Sequence, residues 1–372
     1  MNDKKLKTIA DQEPPANTNV TPIRNALDLG NYPKLKVKAS ELFPDAFPDK
    51  SYDMDIPQYT PGHVNVMPRN EYYVPPVEVT QDLLSWVKRK DKPFSFGLVG
   101  PTGTGKTELP YYLSSTLNMP VYVCKINAAT MPEDLEGTQV LSESENGNVV
   151  MTEMPGPVLQ AYENGGLLII DEIDKANEAT QAALYAILEG KPFAIERFGR
   201  TVQQHPDCMI VVTSNTTGSG GDPRYHTSQK LDDALRARIG WHEMTFPSQE
   251  EEVNFLRRRF KKLSRPIITK MVKLATSLRA SVSDDKSNVQ LVISPRTLAN
   301  WCSAAMMYGK RATLRKSLKV TVFGTIDAGD EETHAAVETA LQAVFKGEID
   351  ESLETLINRY PCKPGEDDKP VK

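Results

Sequence analysis

Gly100-Pro101-Thr102-Gly103-Thr104-Gly105-Lys106-Thr107 fits the pattern G-x-x-x-x-G-K-[ST] at every position. These residue types bind phosphate for physical reasons. Glycines let successive backbone N–H groups turn inward around the β- and γ-phosphates, and a following helix adds the favourable end of its dipole. Lys106 is then placed to neutralise phosphate oxygens and the Thr107 hydroxyl to ligate Mg2+, with Glu108 opening the helix. We read Gly100 to Glu108 as the nucleotide-binding segment. The loop lies between an apolar run, FSFGLVG (94–100), and a helical pattern, ELPYYLSSTL (108–117), the setting such a loop requires. Pro110 falls about one turn into that helix, where its missing donor is tolerated.

A second acidic element follows. Leu167-Leu168-Ile169-Ile170 is an apolar strand ending in Asp171 and Glu172, and open α/β sheets bind ligands at the carboxyl ends of their strands. Asp171 is expected to hold Mg2+ through water, and Glu172 to orient and polarise an attacking water. Asp174 either joins this cluster or is structural. Another apolar run ends in Thr213-Ser214-Asn215. The Asn215 amide is expected between the phosphate loop and the acidic strand, holding the lytic water.

These residues need a scaffold that brings strand ends together. Short apolar runs at 94–100, 121–127, 167–171, 208–214 and 242–246 alternate with helical patterns, which predicts a parallel five-stranded sheet covered on both faces. After Pro247 the pattern is helical (248–263, 266–282, 294–309 and 333–347). The predicted organisation is an N-terminal extension over 1–70, an α/β nucleotide-binding domain over 71–247, an all-α domain over 248–347 and a tail over 348–372. Eleven of the 27 prolines lie in the first 76 residues, where no helical or strand period is sustained. That extension is read as partly disordered or docking, and its aromatic–proline run from Phe43 to Tyr73 as docked on a surface. Two inserted hairpins are expected, at 139–154 around Asn146-Gly147 and at 193–206 with Arg197 and Arg200 near its turn. The second is equally readable as a plain solvent hairpin.

Composition removes several classes. The chain has 372 residues and a net charge of −5, with 25% charged and 39% hydrophobic residues, a balance that does not favour a general nucleic-acid coat. Cys124, Cys208, Cys302 and Cys362 are too dispersed for a zinc site or disulfide framework. No run approaches the roughly 18 apolar residues of a membrane helix. The N-terminal residues lack the apolar core of a signal peptide, so a cytoplasmic location is expected. The basic cluster LRRRFKK (256–262) follows EEE (250–252) and reads as a solvated helix face with i,i+4 pairing.

Across residues 72 to 310 the chain resembles AAA+ ATPases, in particular the helix-2-insert group that contains MoxR and the cobalt chelatase ATPase subunit (CobS). Beyond the Walker motifs, the resemblance rests on DLEGTQV (134–140), MPGPV (154–158), DEIDKANEATQAALYAILEG (171–190), VTSNTTGSGGDPRYHTSQKLDDALRARI (212–239) and ISPRTL (293–298). The piece Tyr225–Gln229 looks most like the cobalt chelatase branch, and His226 within it is a candidate for a subunit interface. The resemblance implies a P-loop three-layer sandwich with an α-helical lid, ATP and Mg2+ as cofactors, and ATP hydrolysis. It also implies a homo-oligomeric ring, a hexamer in this superfamily, that remodels or activates a client. In such rings the partner is often a protein with a von Willebrand factor A domain, and the insert at 139–154 faces the pore and the client. Arg238 matches the arginine finger that acts in a neighbouring subunit's site, with Arg236 the other candidate, because Ala237 stands where the family has an acidic residue. Arg296 matches the lid arginine that senses the γ-phosphate. The alternative reading is a nucleic-acid-associated ring NTPase, a motor or restriction-type enzyme.

Overall fold

The computed structural model describes residues 27–47, 53–143, 148–218, 228–282, 291–327 and 329–362, and for Glu196 the backbone alone. The phosphate loop, the acidic strand end and Asn215 all lie within these ranges. The turn at Asn146-Gly147 and the residues Tyr225, His226 and Thr227 lie outside them, as do much of the N-terminal extension and the last ten residues.

The chain begins with β1 (Lys34–Lys38), a short helix α1 (Ala39–Leu42) and β2 (Asp55–Tyr59), then α2 (Val77–Lys88). The α/β unit follows as β3 (Ser95–Val99), α3 (Glu108–Leu117), β4 (Val121–Lys125) and α4 (Pro132–Glu136). It continues with β5 (Gly137–Glu143), β6 (Val149–Pro155), α5 (Pro157–Asn164), β7 (Gly166–Asp171) and α6 (Glu178–Leu188). It closes with β8 (Phe193–Ile195), β9 (Arg200–Val202), β10 (Cys208–Ser214), α7 (Asp233–Arg236) and β11 (Ile239–Glu243). The helical domain is α8 (Gln249–Arg259), α9 (Arg265–Val282), α10 (Pro295–Tyr308), α11 (Leu314–Thr321), α12 (Glu331–Phe345) and α13 (Leu353–Arg359).

The main sheet has five strands in the order β11-β3-β10-β7-β4, every neighbouring pair parallel. Its β10 and β7 are buried over nearly their whole length, which is why they read as continuous apolar runs rather than alternating ones. Two apolar layers flank the sheet. Leu83, Leu84, Phe96, Leu98, Leu109 and Leu113 belong to one; Leu159, Leu168, Ile170, Leu184, Ile210 and Val212 belong to the other. This is the expected α/β sandwich with a helical domain behind it. The last strand lies at Ile239–Glu243, three residues earlier than its run HEMTF suggested. Ile239 pairs with Ser95 there and Glu243 with Val99, so the ladder starts where the partner strand starts.

The N-terminal segment departs from its flat sequence texture. β1 and β2 pair antiparallel from Lys34↔Tyr59 to Lys38↔Asp55, and Phe43, Phe47, Ile56 and Tyr59 are buried in the same layer as α3. Gln58 Nε2 donates to Thr116 O at 2.9 Å, and Asn118 Nδ2 donates to Tyr59 O at 2.9 Å. Prolines hide this ladder because its burial comes from distant side chains rather than from its own alternation.

In the helical domain, Trp301 and Phe345 are fully buried with Leu274, Leu298 and Leu341. Ile349, Leu353 and Leu356 join the same cluster, so the domain runs through α13 instead of ending near 347. The charge pattern of α8 is also not a solvated face of local pairs. Glu252 is 1% exposed and meets Arg279 with two bonds of 2.9 Å. Arg257 is buried and donates to Leu263 O, while Arg258 faces Asp45 at 3.9 Å. Long-range partners have replaced the i,i+4 pairs.

Candidate functional site

The loop Gly100–Thr107 leaves the carboxyl end of β3 and enters α3, a helix whose bounds match the predicted ELPYYLSSTL. Close packing dictates its glycines. Gly100 has φ +154°, and a Cβ there would lie 2.1 Å from Met244 O; Gly103 has φ +86°, and a Cβ there would lie 2.5 Å from Ser294 Cβ. Ser294 caps the helical domain's α10 through its hydroxyl to Thr297 N–H, so that domain rests directly on the phosphate loop. Pro110 is buried in the first turn of α3, where a missing N–H is harmless.

Lys106 is 8% exposed and its Nζ donates to Gly100 O at 2.7 Å, Pro101 O at 2.8 Å and Asn215 Oδ1 at 3.0 Å. Burial lowers its pKa to about 8, while Asp174, Asp171 and Glu172 pull it back up and Arg296 opposes them. Thr102 also donates to Asn215 Oδ1, at 3.4 Å, and Thr104 Oγ1 closes the loop on Pro101 O at 3.0 Å. Because β10 lies between β3 and β7, Asn215 stands between the phosphate loop and the acidic strand end. Glu108 accepts from Asn70 Nδ2, and Tyr73 packs against Gly105.

On the acidic side, Thr107 Oγ1 donates to Asp171 Oδ1 at 3.0 Å. Glu172 occupies the left-handed region at φ 61°, ψ 44°, a conformation costing about 1–2 kcal/mol for a residue with a Cβ. It turns the chain sharply off β7. The Glu172 carboxylate meets Lys175 at 3.0 Å and Lys125 at 3.7 Å. Neither lysine was singled out from the sequence, although Lys175 lies three residues on in DEIDK. Asp174 is fully buried, with Oδ2 accepting from Ser228 at 2.7 Å and Thr216 at 3.3 Å. Its side chain anchors the segment around Asn215.

The donors fit the cofactors. Inward-turned glycines with a buried lysine suit a polyphosphate. One hydroxyl and one carboxylate, both hard oxygen donors, suit Mg2+, which keeps several waters and borrows phosphate oxygens. Consistent with that sparse donor set, no group of three or more His, Cys, Asp or Glu placed to hold a metal occurs among the described residues.

The arginines lie elsewhere. Arg296 is exposed on the second residue of α10, close enough for its charge to depress the Lys106 pKa. Arg238 precedes β11, and its carbonyl accepts from Ser95 N–H, at the opposite end of β3 from the phosphate loop. Its guanidinium meets Glu189 at 2.6 Å and Ala234 O at 2.6 Å, and lies 4.9 Å from the Tyr185 ring centre. Arg236 holds Asp233 at 3.2 Å.

A phosphate loop, an aspartate–glutamate strand end and a polar amide between them, on a five-stranded parallel sheet with a helical domain, make up the site of an ATP hydrolase. Residues 95–239 match the family model described as AAA domain (dynein-related subfamily). An uncharacterized protein of Staphylococcus saprophyticus is 26% identical over 208 residues, covering 54% of this chain and 76% of that protein. The denitrification regulatory protein NirQ of Pseudomonas aeruginosa is 28% identical over 161 residues, covering 43% and 57%. Protein NorQ of Paracoccus denitrificans is 27% identical over 190 residues, covering 50% and 66%.

Proposed function

We propose that the chain hydrolyses ATP with Mg2+ as a subunit of a homo-oligomeric ring, expected to be hexameric, and that the ring remodels or activates a client protein. The observation that carries the hydrolytic part is the convergence of Lys106, Thr107, Asp171 and Asn215 through bonds of 3.0 Å or less, beside Glu172. Lys106 and the inward N–H groups bind the phosphates, while Thr107 and Asp171 would hold Mg2+, which neutralises charge when bound. Glu172 polarises the attacking water, Asn215 orients it, and Arg296 follows the γ-phosphate from the helical domain.

Distance supports the ring reading. Arg238 sits at the start of β3's ladder, and the strand's rise puts it roughly 16 Å from its own phosphate loop. An arginine there serves a neighbouring subunit's site. Its bonds to Glu189 and Ala234 O must yield for it to act, whereas Arg236 holds the exposed Asp233. Both remain candidates for the finger.

The client surface we assign is the β5–β6 hairpin, where Leu141, Val149, Met151 and Met154 are exposed. The shorter β8–β9 hairpin supports its base, with Arg197 donating to Gly137 O at 3.0 Å and Arg200 to Glu153 at 2.8 Å. A client with a von Willebrand factor A domain, as in MoxR- and CobS-like systems, belongs to this proposal; NirQ is itself named a denitrification regulatory protein. The nucleic-acid alternative is less favoured, because Arg257, Arg258 and Arg259 are engaged by Leu263 O, Asp45 and the Tyr72 ring. No helix among the described residues is long and apolar enough to cross a membrane.

Steady-state hydrolysis tests the chemistry. Glu172→Gln should lose more than about tenfold in kcat while still binding ATP, and equal turnover by variant and wild type would refute the role of Glu172. Subunit mixing tests the ring. Lys106→Ala subunits combined with Arg238→Ala or Arg236→Ala subunits should regain activity that neither has alone. Co-assembled mixtures that stay inactive for both arginines would rule out action in trans.

A further inference from the structure

Thr213 occupies the penultimate position of β10, beside the acidic end of β7, and is 1% exposed. Its hydroxyl makes two contacts at once. Oγ1 donates to Asp171 Oδ1 and accepts the main-chain N–H of Glu172 at 3.1 Å. The first contact fixes the carboxylate that also receives Thr107. The second fixes the amide of a residue whose φ of 61° no ordinary strand continuation would give. A single hydroxyl therefore holds both acidic residues, one by its side chain and the other by its backbone.

The geometry points to Thr213 as a positioning residue for hydrolysis: it pins Asp171 and locks the left-handed turn that aims the Glu172 carboxylate at the nucleotide. This rests on the reading of Glu172 and Asp171 given above. Without the hydroxyl, the partly buried Glu172 N–H loses its partner, a loss that corresponds to about one to two decades in the population of the competent turn. Among the described residues the Thr213 hydroxyl meets the phosphate loop only through Asp171, so nucleotide binding without Mg2+ should be spared.

Two matched pairs isolate the hydroxyl: Thr213→Val against wild type, and Thr213→Ala against Thr213→Ser, the second pair guarding against misfolding of the valine variant. Valine and alanine should lower kcat about ten- to a hundredfold, with KM within about threefold, and serine should recover most of the rate. In a Glu172→Gln background, Thr213→Val should cost less than in wild type, because the carboxylate it aims is already disabled and only the hold on Asp171 remains to be lost. Valine at wild-type kcat, serine as slow as alanine, or a full penalty in the Glu172→Gln background would each overturn the proposal. Binding of a fluorescent ATP analogue, with Mg2+ and with EDTA, supplies a readout independent of turnover. Loss of the Mg2+-dependent tightening in valine, with retention in serine, supports the hold on Asp171; undiminished tightening in valine overturns it. If Glu172→Gln turns over as fast as wild type, the reading of Glu172 fails by itself, and this binding comparison alone decides the role of Thr213.

Discussion

Lys106→Ala should cost at least about a thousandfold in ATP turnover and about a hundredfold or more in nucleotide affinity. The size of the effect follows from where the amine sits. All three of its protons are engaged, by Gly100 O, Pro101 O and Asn215 Oδ1. Burial has already stripped it of water, which is why its pKa falls to about 8. A desolvated cation that needs little further dehydration attracts a polyphosphate more strongly than a solvated one. Lys106→Arg is not expected to rescue, since a planar fork does not fit three acceptors arranged around one nitrogen. Turnover and equilibrium binding, measured side by side, check both losses; an alanine variant that binds ATP as wild type does would refute the assignment. Stability gives a separate signature. With a folded pKa near 8 against 10.5 for a free lysine, the unfolded chain holds the extra proton between those values. Wild-type stability without nucleotide should therefore gain from this group as pH rises from about 8 toward 10.5. Denaturation curves of the alanine variant should lack that increment.

Glu252→Ala should destabilise the helical domain by about 3–5 kcal/mol. Glu252 is 1% exposed and Arg279 10%, and two bonds of 2.9 Å join them. Burial pushes the Glu252 carboxyl above its ordinary pKa while Arg279 pulls it down. Removing the carboxylate takes two charge-assisted bonds from a nearly buried guanidinium that lies 4.4 Å from the Phe246 ring centre. The loss should reach the nucleotide site too. Arg279 Nε donates to Ile293 O at 2.6 Å, the residue before the Ser294 that rests on Gly103. Chemical denaturation measures the first effect and nucleotide affinity the second. Glu252→Met combined with Arg279→Met should recover most of the stability, because no charge is then stranded. A single alanine variant as stable as wild type would refute the argument.

What the sequence made legible follows the range of the forces involved. The phosphate loop, the β7 strand with Asp171 and the α3 helix are local patterns, and each appears where its residues predicted. The place of Asn215 between loop and acid followed from motif order. What escaped was set by distant partners. The hydroxyl of Thr213 matters only because β10 lies beside β7. The left-handed turn at Glu172 leaves no trace in residue type, since glycine, the usual marker of positive φ, is absent there. The engagement of Glu252 by Arg279 replaced the local pairs that spacing suggested, and that of Arg238 by Glu189 left no local sign at all. The β1–β2 ladder lay hidden among prolines for the same reason.

That N-terminal segment also changes how the two domains can move. It runs beside α3 from Asn118 at the foot, through Thr116 and the Tyr112 hydroxyl that Arg69 reaches at 3.2 Å, to Gly105 beneath Tyr73. Its apolar residues fasten it to the sheet. Its contacts with the helical domain are of another kind: Asp45 with Arg258 at 3.9 Å, and Tyr72 with Arg259 at 5.9 Å. An exposed ion pair and an exposed cation–π contact of that sort contribute about 1 kcal/mol or less each. A swing of the helical domain would break these clasps first and leave the splint on α3 intact. The phosphate loop would then keep its shape while its cover opens, so that loop geometry and domain rotation are decoupled by a strip of chain that the motifs do not include.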